Sequence, residues 1–249
     1  MPTTRVVILA AGKGTRMKSD LPKPLIKVLG ESMIERLVRS VKESGVDETP
    51  VVVVGAWSEG MFRNVLKGEV EYAVQDEQLG TGHALRCAKE VIDGVDRVVV
   101  LYGDHPFIRP EVIQRLVGIQ NEHPDSVAML TAKVPNFEEN FSTFVRWGRI
   151  LRNDEGRVIA IREAKDATAD ELAVMEVNPA IFAFPARWAW ERLENLKNTN
   201  ASGEYYLTDL IGVAMSEGVP IVTADADPMD VVGINSPEEL AKAEEMMRK

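Results

Sequence analysis

Short β-branched runs alternate with amphipathic helical segments through the first half of this chain, and this alternation constrains the fold more than any other feature. Four runs have the composition of buried strands, namely RVVILA at 5–10, PVVVVG at 50–55, VEYAV at 70–74 and RVVVLYG at 97–103. Helical patterns lie between and after them, at 31–45, 58–68 and 81–94. This α/β alternation predicts a mostly parallel central sheet flanked by helices on both faces.

The pattern changes in the second half of the chain. Residues 147–164 form two alternating runs around a turn of Asp154, Glu155 and Gly156, which predicts an added antiparallel hairpin. Near the end, Ser236 as N-cap and Pro237 at the first helical position predict a final helix. No linker or repeat interrupts the 249 residues, so we expect a single domain over 1–249.

The charge and the single cysteine narrow the class of protein. With 29 Lys and Arg against 39 Asp and Glu, the formal net charge is −10, which disfavours nucleic acid and anionic membranes as partners. Cys87 cannot form an internal disulfide and suits a reducing compartment. No run reaches the roughly 18 apolar residues of a membrane span, and the N-terminus lacks a signal-peptide pattern, so we expect a cytoplasmic protein.

A glycine-rich, basic stretch, LAAGKGTRMKSDLPKPL at 9–25, directly follows the first strand of this acidic protein. Ligands of doubly wound sheets bind at the carboxyl ends of strands. Gly12 and Gly14 would let backbone N–H groups approach a phosphate closely. Positive charge for the phosphate oxygens would come from Lys13, Arg16 and Lys23.

Two further polar clusters follow the third and fourth strands. The segment QDEQLGTGHA at 75–84 contains Gln75, whose amide both donates and accepts and therefore suits the edge of a nucleobase. The segment YGDHP at 102–106 ends its strand with Asp104, and a single carboxylate suits Mg²⁺, which completes its shell with water and phosphate. The three clusters together therefore predict a nucleotide site at one edge of the sheet.

Common phosphate and metal patterns are missing. The sixth position of a GxGxxG pattern is Met17, and no GxxxxGK[ST] string occurs. The three histidines, His83, His105 and His123, have no common spacing, which disfavours a histidine metal site.

Eight motifs occur in the order seen in sugar-1-phosphate nucleotidyltransferases: LAAGKGTRMKSDLPKPL, QDEQLGTGHA, YGD, GRI, EAKDAT, EVN, GEYYLTD and GIN. From residue 5 to about 240 the chain most closely resembles the uridyltransferase domains that act on N-acetylglucosamine 1-phosphate. The resemblance implies a Rossmann-like, GT-A-like fold with a nucleotide-binding half at about 1–130 and a sugar-binding half at about 131–249. It also implies Mg²⁺-dependent transfer of a uridylyl group from UTP to that sugar phosphate, with release of pyrophosphate.

The resemblance implies roles for individual residues. The nucleotide would be held by Leu9, Ala10, Ala11 and Gly12, with Lys13 and Gly14 beside them, and the phosphates by Arg16 and Lys23. The positions that read uracil are matched by Gln75, Gly80 and Thr81, with Gln78 in the same turn. Tyr102 and Gly103 would line the site next to Asp104, which matches one Mg²⁺ ligand, while Asn235 matches the other. The sugar-contacting positions are Gly148, Glu163 and Asn178.

The chain also departs from the family. Pro179 and Ala180 follow Asn178 where NTGI is usual, so a backbone contact to the sugar is in question, because proline lacks an N–H and alanine adds a methyl group. Trp147 stands where a tyrosine is usual, and His105 replaces a small apolar residue. The hexapeptide repeats of an acetyltransferase are absent from these 249 residues, so the resemblance implies the pyrophosphorylase activity alone.

Three other functions fit parts of the sequence. The same reaction could use another nucleotide or sugar phosphate, such as glucose 1-phosphate with UTP or dTTP. A non-catalytic nucleotide-sugar binding module could share the fold, although it would have no need of both Lys23 and Asp104. A glycosyltransferase could use the DAD motif of Asp225 and Asp227. In each case the partners are small molecules, and the sequence leaves a homo-oligomer open.

Overall fold

A ten-stranded sheet lies at the centre of the computed structural model, which describes residues 2–92, 94–200 and 202–247. The strands are β1 (Thr4–Leu9), β2 (Lys27–Val28), β3 (Glu31–Ser32), β4 (Val51–Gly55), β5 (Glu71–Gln75), β6 (Arg97–Tyr102), β7 (Val127–Lys133), β8 (Arg149–Arg152), β9 (Val158–Arg162), β10 (Glu176–Val177), β11 (Phe182–Pro185) and β12 (Ile221–Ala226). The helices are α1 (Met33–Glu43), α2 (Glu59–Leu66), α3 (Thr81–Cys87), α4 (Pro110–Glu122), α5 (Ala169–Leu172), α6 (Ala186–Leu193), α7 (Asp209–Glu217) and α8 (Pro237–Met247). Strands β2 and β3 form a separate two-stranded sheet.

The first half of the sheet is parallel and the second half is mixed. The order is β5-β4-β1-β6-β11-β7-β10-β8-β9, with β12 paired to β7. Strands β1, β4, β5 and β6 pair in parallel, and β12 runs parallel to β7. Strand β11 is antiparallel to both of its neighbours, β6 and β7, and β8 and β9 form the antiparallel hairpin. The predicted α/β fold with an added hairpin is confirmed.

Helices pack on both faces of the sheet because successive side chains of a strand point to opposite faces. Val6 and Ile8 belong to one core with residues of α1, α2 and α4. Val7 and Leu9 belong to the other core with residues of α3, α6 and α7. Strand β1 is therefore covered on both faces, which is why its sequence is an unbroken apolar run.

Two predicted helix boundaries were tested by the structure with different outcomes. Helix α8 begins at Pro237 as expected, with the Glu239 N–H donating to the Ser236 hydroxyl at 3.2 Å. The predicted helix at 81–94 was too long, since α3 ends at Cys87 and tight turns follow it. These turns bring the chain back to the start of β1, where the Thr3 N–H donates to the Asp96 carboxylate at 2.7 Å. Residue 93 of that predicted helix lies outside the described residues.

Candidate active site

The carboxyl ends of β1, β5 and β6 open into a cleft of about 400 Å³. Most of the predicted nucleotide site lines this cleft, namely Leu9, Ala10, Ala11, Gly12, Lys13, Gly14, Arg16, Lys23, Gln75, Gln78, Gly80, Thr81, Tyr102 and Asp104. The remaining lining residues, which sequence analysis did not assign, are Thr15, Pro24, Ala84 and Glu204. The three polar clusters of the sequence therefore meet at one edge of the sheet.

Gly14 shapes the basic loop through its contact with Lys23. It has a left-handed φ of +59°, and a Cβ at this position would lie 2.6 Å from the Cβ of Lys23. The absence of a side chain at Gly14 thus allows the two ends of the loop to approach each other. Gly12, by contrast, faces open space, with no neighbouring atom within 4 Å of its Cβ position.

The Lys23 ammonium joins the two residues that sequence analysis identified as metal ligands. Its Nζ contacts the Asp104 carboxylate and donates to Oδ1 of Asn235 at 2.9 Å. Arg16 donates to the same Asn235 oxygen at 3.0 Å. Burial opposes the charge on Asp104, but the charges of Lys23 and His105 and the hydrogen bond from Lys23 together outweigh this effect and hold the pKa of Asp104 below its usual range. Asp104 is therefore a carboxylate at neutral pH.

Backbone contacts hold Asp104 and Asn235 in place. Gly103 donates to the Leu9 carbonyl at 3.0 Å, which fixes the end of β6 beside the end of β1. Ile234 donates to the Asp104 carbonyl at 3.0 Å, and the Asn235 N–H donates to Glu239 of α8 at 2.7 Å. The convergence thus depends on strand ends and on the first turn of a helix.

The oxygens of Asp104 and Asn235 are of the kind that Mg²⁺ prefers, and both contact the same ammonium. In the described part of the chain, no group of three or more His, Cys, Asp or Glu side chains is arranged for a metal ion. A cation held by Asp104 and Asn235 would need phosphate and water oxygens to complete its shell, which is a common arrangement for Mg²⁺ with nucleotides.

Gln75 lines the cleft at the end of β5, three strands away from β6, and is buried with 3% of its surface exposed. Its Nε2 donates to the Gly80 carbonyl at 3.1 Å and lies 2.9 Å from Nδ1 of His83. Gly80 has a φ of +108°, and a Cβ there would lie 2.5 Å from the Tyr205 carbonyl. The Thr81 hydroxyl accepts from the Leu207 N–H at 2.9 Å, so this end of the cleft is tied to the GEYYLTD segment. Sequence analysis missed His83, although it lies in the quoted motif.

Gln78, in the same turn as Gly80, also lines the cleft. Its side-chain amide donates to the Ala11 carbonyl at the end of β1. This bond connects the turn after β5 to the first loop.

The predicted sugar residues form a second cluster beside the cleft. The Asn178 N–H donates to the Gly148 carbonyl at 2.8 Å, and Glu163 Oε1 lies 3.5 Å from the Cβ position of Gly148. Desolvation raises the pKa of Glu163. The pKa of Tyr102 is raised chiefly by burial and also by the charges of Asp104 and Glu163, so a carboxylate from each cluster acts on Tyr102. The structure thus brings the sugar positions next to the nucleotide cleft.

The residues that depart from the family pattern, Ala180, His105 and Trp147, make specific contacts in the structure. Ala180 adopts a left-handed φ of +60°, and its N–H donates to the Asn178 side chain at 2.8 Å, so the loop itself uses that donor. The His105 ring stacks on Trp147 with centroids 6.2 Å apart. Gly233 makes room for His105, because a Cβ there would lie 2.6 Å from the ring. His105 and Trp147 therefore form one contact.

Asp225 and Asp227 do not line the cleft. Asp225 forms an ion pair with Lys133 at 3.4 Å, and Asp227 accepts the Met229 N–H at 2.9 Å in a local turn. This placement disfavours the glycosyltransferase alternative.

Burial raises the pKa of Cys87, which therefore remains a thiol at neutral pH.

Membrane spans were also sought among the helices. Within residues 2–92, 94–200 and 202–247, no helix combines the length and the apolar character needed to cross a bilayer.

Sequence comparisons identify relatives over nearly the whole chain. Residues 6–209 match the family described as MobA-like NTP transferase domain. The chain is 40% identical to the Bifunctional protein GlmU of Clostridium novyi over 243 residues, which cover 97% of this chain and 52% of that protein. It is also 40% identical to the proteins of the same name from Clostridioides difficile, over 98% of this chain, and Streptococcus gordonii, over 99%, and again covers 52% of each. The chain thus spans about half the length of the curated relatives it matches.

Two solved structures share the fold at low sequence identity. One is described as a glucose-1-phosphate thymidylyltransferase from Bacillus anthracis, with a TM-score of 0.79, 20% identity, and coverage of 99% of this chain and 96% of that one. The other is a CMP:2-keto-3-deoxy-manno-octonic acid synthetase complexed with CTP, with a TM-score of 0.72, 19% identity, and coverage of 99% and 98%.

Proposed function

The chain belongs to the MobA-like NTP transferase domain family, and from this membership we propose that it transfers a uridylyl group from UTP to N-acetylglucosamine 1-phosphate, releasing pyrophosphate. The sugar-1-phosphate motifs and the similarity to proteins named GlmU support this choice of substrates. We also propose that the reaction takes place in the cytoplasm, because a single cysteine suits a reducing compartment.

One observation carries the proposal. Lys23 and Arg16 converge on Asn235, and Lys23 also contacts Asp104 after β6, whereas Gln75 lines the same cleft at the end of β5, three strands away in the sheet. A nucleoside triphosphate has the matching polarity, with phosphates at one end and a hydrogen-bonding base edge at the other. The cleft therefore supports nucleotide chemistry better than a purely structural role for these charges.

The proposed reaction is an in-line displacement at the α-phosphorus of UTP. A phosphate oxygen of the sugar phosphate forms the new bond to that phosphorus while the bond to the β-phosphate oxygen breaks, and pyrophosphate leaves with the electron pair. A phosphate monoester is largely ionised near pH 7, so no general base is required. Catalysis then depends on positioning and on neutralising charge, which Lys13, Arg16 and Lys23 provide. Mg²⁺ bound by Asp104 and Asn235 would add charge neutralisation at the phosphates.

A substrate panel tests this proposal. Pyrophosphate release is measured with UTP, dTTP and CTP, each with N-acetylglucosamine 1-phosphate or glucose 1-phosphate, with Mg²⁺ and with a chelator. We expect UTP with N-acetylglucosamine 1-phosphate to give the highest kcat/KM, and the chelator to abolish the reaction. CTP should be about 10- to 100-fold worse, because cytosine leaves a polar group unpaired in a site built for uracil. Equal values for UTP and CTP would contradict the base assignment.

A second candidate function is the same uridylyl transfer with glucose 1-phosphate as the sugar phosphate. The Ala180 N–H donates within its own loop, so it is not free to contact a sugar in this conformation. A higher kcat/KM with glucose 1-phosphate in the same panel would favour this candidate.

A further inference from the structure

We infer that His83 is a positioning residue that selects the nucleobase by holding the Gln75 amide with its oxygen toward the cleft. This inference rests on the proposed function and deepens it. His83 does not line the cleft itself, whereas Gln75 does. Its effect on specificity would therefore be exerted through Gln75.

The orientation of the Gln75 amide follows from its two neighbours. The Gly80 carbonyl can only accept a hydrogen bond, so the group 3.1 Å from it must be the NH₂ of Gln75. The same nitrogen lies 2.9 Å from Nδ1 of His83, which accounts for the second hydrogen. With both hydrogens used, Oε1 is the atom left for a ligand, and it accepts no hydrogen bond from the described residues. Gln75 thus presents an acceptor and no donor.

The role of His83 requires an unprotonated Nδ1. Burial and the nearby charge of Arg86 lower the pKa of His83, which favours the neutral ring. The hydrogen of the neutral ring then lies on Nε2, 4.0 Å from the sulfur of Cys87. A neutral His83 with Nδ1 as acceptor therefore fits its contacts with Gln75 and Cys87, although a hydrogen bond to the Glu77 backbone and the charge of Glu77 raise its pKa in the opposite direction.

An acceptor at this position distinguishes bases by their ring nitrogen. Uracil and thymine carry an N–H at ring position 3, which Oε1 can accept. Cytosine has a lone pair there, so two acceptors would face each other. Without His83, only the Gly80 carbonyl would oppose rotation of the amide, and the rotated amide would present its NH₂ to cytosine. His83 therefore increases the preference for bases with a ring N–H.

Two variants of His83 test the inference. His83→Leu removes the acceptor, while His83→Asn keeps an oxygen near the position of Nδ1. We expect His83→Leu to reduce the ratio of kcat/KM for UTP over CTP about 10-fold, and His83→Asn to retain most of the wild-type ratio. The KM for the sugar phosphate should be similar in all three proteins. If His83 had a purely structural role, His83→Leu would lower kcat/KM equally for UTP and CTP. The ratio of the two values would then be unchanged, which would overturn the inference.

A comparison of two nucleotides with the wild-type enzyme tests the inference even if His83→Leu does not fold. The substrate 3-methyl-UTP retains both uracil carbonyls but lacks the ring N–H, so we expect at least a 10-fold loss of kcat/KM relative to UTP. Equal use of the two nucleotides would overturn the inference. If the wild-type enzyme prefers dTTP, the proposed function fails while the inference stands, because thymine carries the same N–H. A preference for CTP would overturn both.

Discussion

At the scale of single residues, Lys23 is the cation with the most defined position in the cleft. Its contacts to Asp104 and Asn235 hold it at the phosphate end. We expect Lys23→Ala to lower kcat about 100- to 1,000-fold, the range seen when one fixed donor to a developing charge is removed. The control is Lys27→Ala, which removes an exposed cation that does not line the cleft. Steady-state kinetics measure the effect, and circular dichroism checks the fold. Near wild-type turnover in folded Lys23→Ala would contradict the assigned role.

The motifs indicated which residues line the cleft, but not which of these residues contact each other. The sequence indicated cations and glycines suited to a phosphate, yet Gly14 is required by Lys23, nine positions later. Likewise His83 was set aside because histidine spacing gave no metal pattern, while its contact is with Gln75. Such contacts depend on the loop conformation, which no local pattern encodes.

At the scale of elements, the turn after β1 depends on the missing side chain at Gly14. An alanine there would have to adopt a φ of +59° and would meet the Cβ of Lys23 at 2.6 Å. We expect Gly14→Ala to lower the free energy of unfolding by about 1 to 2 kcal/mol from the left-handed backbone alone. The matched control is Gly12→Ala, where the added methyl group faces open space. Denaturant unfolding compares the two variants, and equal stability would show that the loop relaxes without cost.

A partly buried ion pair joins β8 to β10. Arg152 donates to both carboxylate oxygens of Glu176, at 2.8 and 2.6 Å. Burial opposes the charge of Glu176, but the bonds from Arg152 and Thr131 outweigh it and lower the pKa of Glu176 below the ordinary 4.5. The stabilisation is therefore fully present above about pH 4.5 and is lost as the pH falls through the lowered pKa.

We expect Glu176→Gln to cost about 1 to 3 kcal/mol of unfolding free energy at pH 7, because it weakens a partly buried, charge-assisted pair. The difference from wild type should shrink as the pH is lowered below 4.5, since the native carboxylate is then protonated too. Glu155→Gln, in an exposed pair with Arg157, serves as the control and should change stability by less than about 0.5 kcal/mol. Urea titrations at several pH values measure both variants, and a pH-independent cost would argue against this pair.

Element types were more predictable than element ends. The strands of the parallel half were predicted from their β-branched runs because they are buried on both faces. Helix α3 was predicted too long because residues after Cys87 keep a helical composition. The residues after Cys87 form turns because the chain must return to the start of β1. This requirement comes from the tertiary structure and not from the local sequence.

At the scale of the whole molecule, the two halves of the chain share one sheet. Strand β11, from the second half, pairs with β6 of the first half along Arg97–Val100. We therefore propose that residues 1–249 unfold as one unit. Fluorescence of the tryptophans and far-UV circular dichroism should give coincident denaturation curves. A fragment of residues 1–130 should lack cooperative unfolding, because an edge of β6 would be unpaired. Separate transitions, or a folded fragment, would contradict a single domain.

The arrangement of β11 is one part of the global fold that the sequence did not reveal. Its four residues, Phe182–Pro185, are too short to give a clear alternating pattern, and the preceding Asn178–Ile181 region was interpreted only as a sugar loop. Strands from distant segments pair with whichever strand edges remain open. Their pairing can therefore be predicted only once the rest of the sheet is known. The convergence of Lys23 and Asn235 across 212 positions was anticipated only through the motif order.

The position of β11 also affects synthesis of the protein. Strand β7 ends at Lys133 and β11 begins at Phe182, so about 50 residues separate them, which is roughly 2 to 10 seconds of translation at the usual rates. Until β11 is made, the edge of β6 that faces it has unpaired N–H and C=O groups, and such edges readily pair with other chains. A chain that ends before Phe182 should therefore aggregate more readily than the full-length chain, because this edge of β6 is left open.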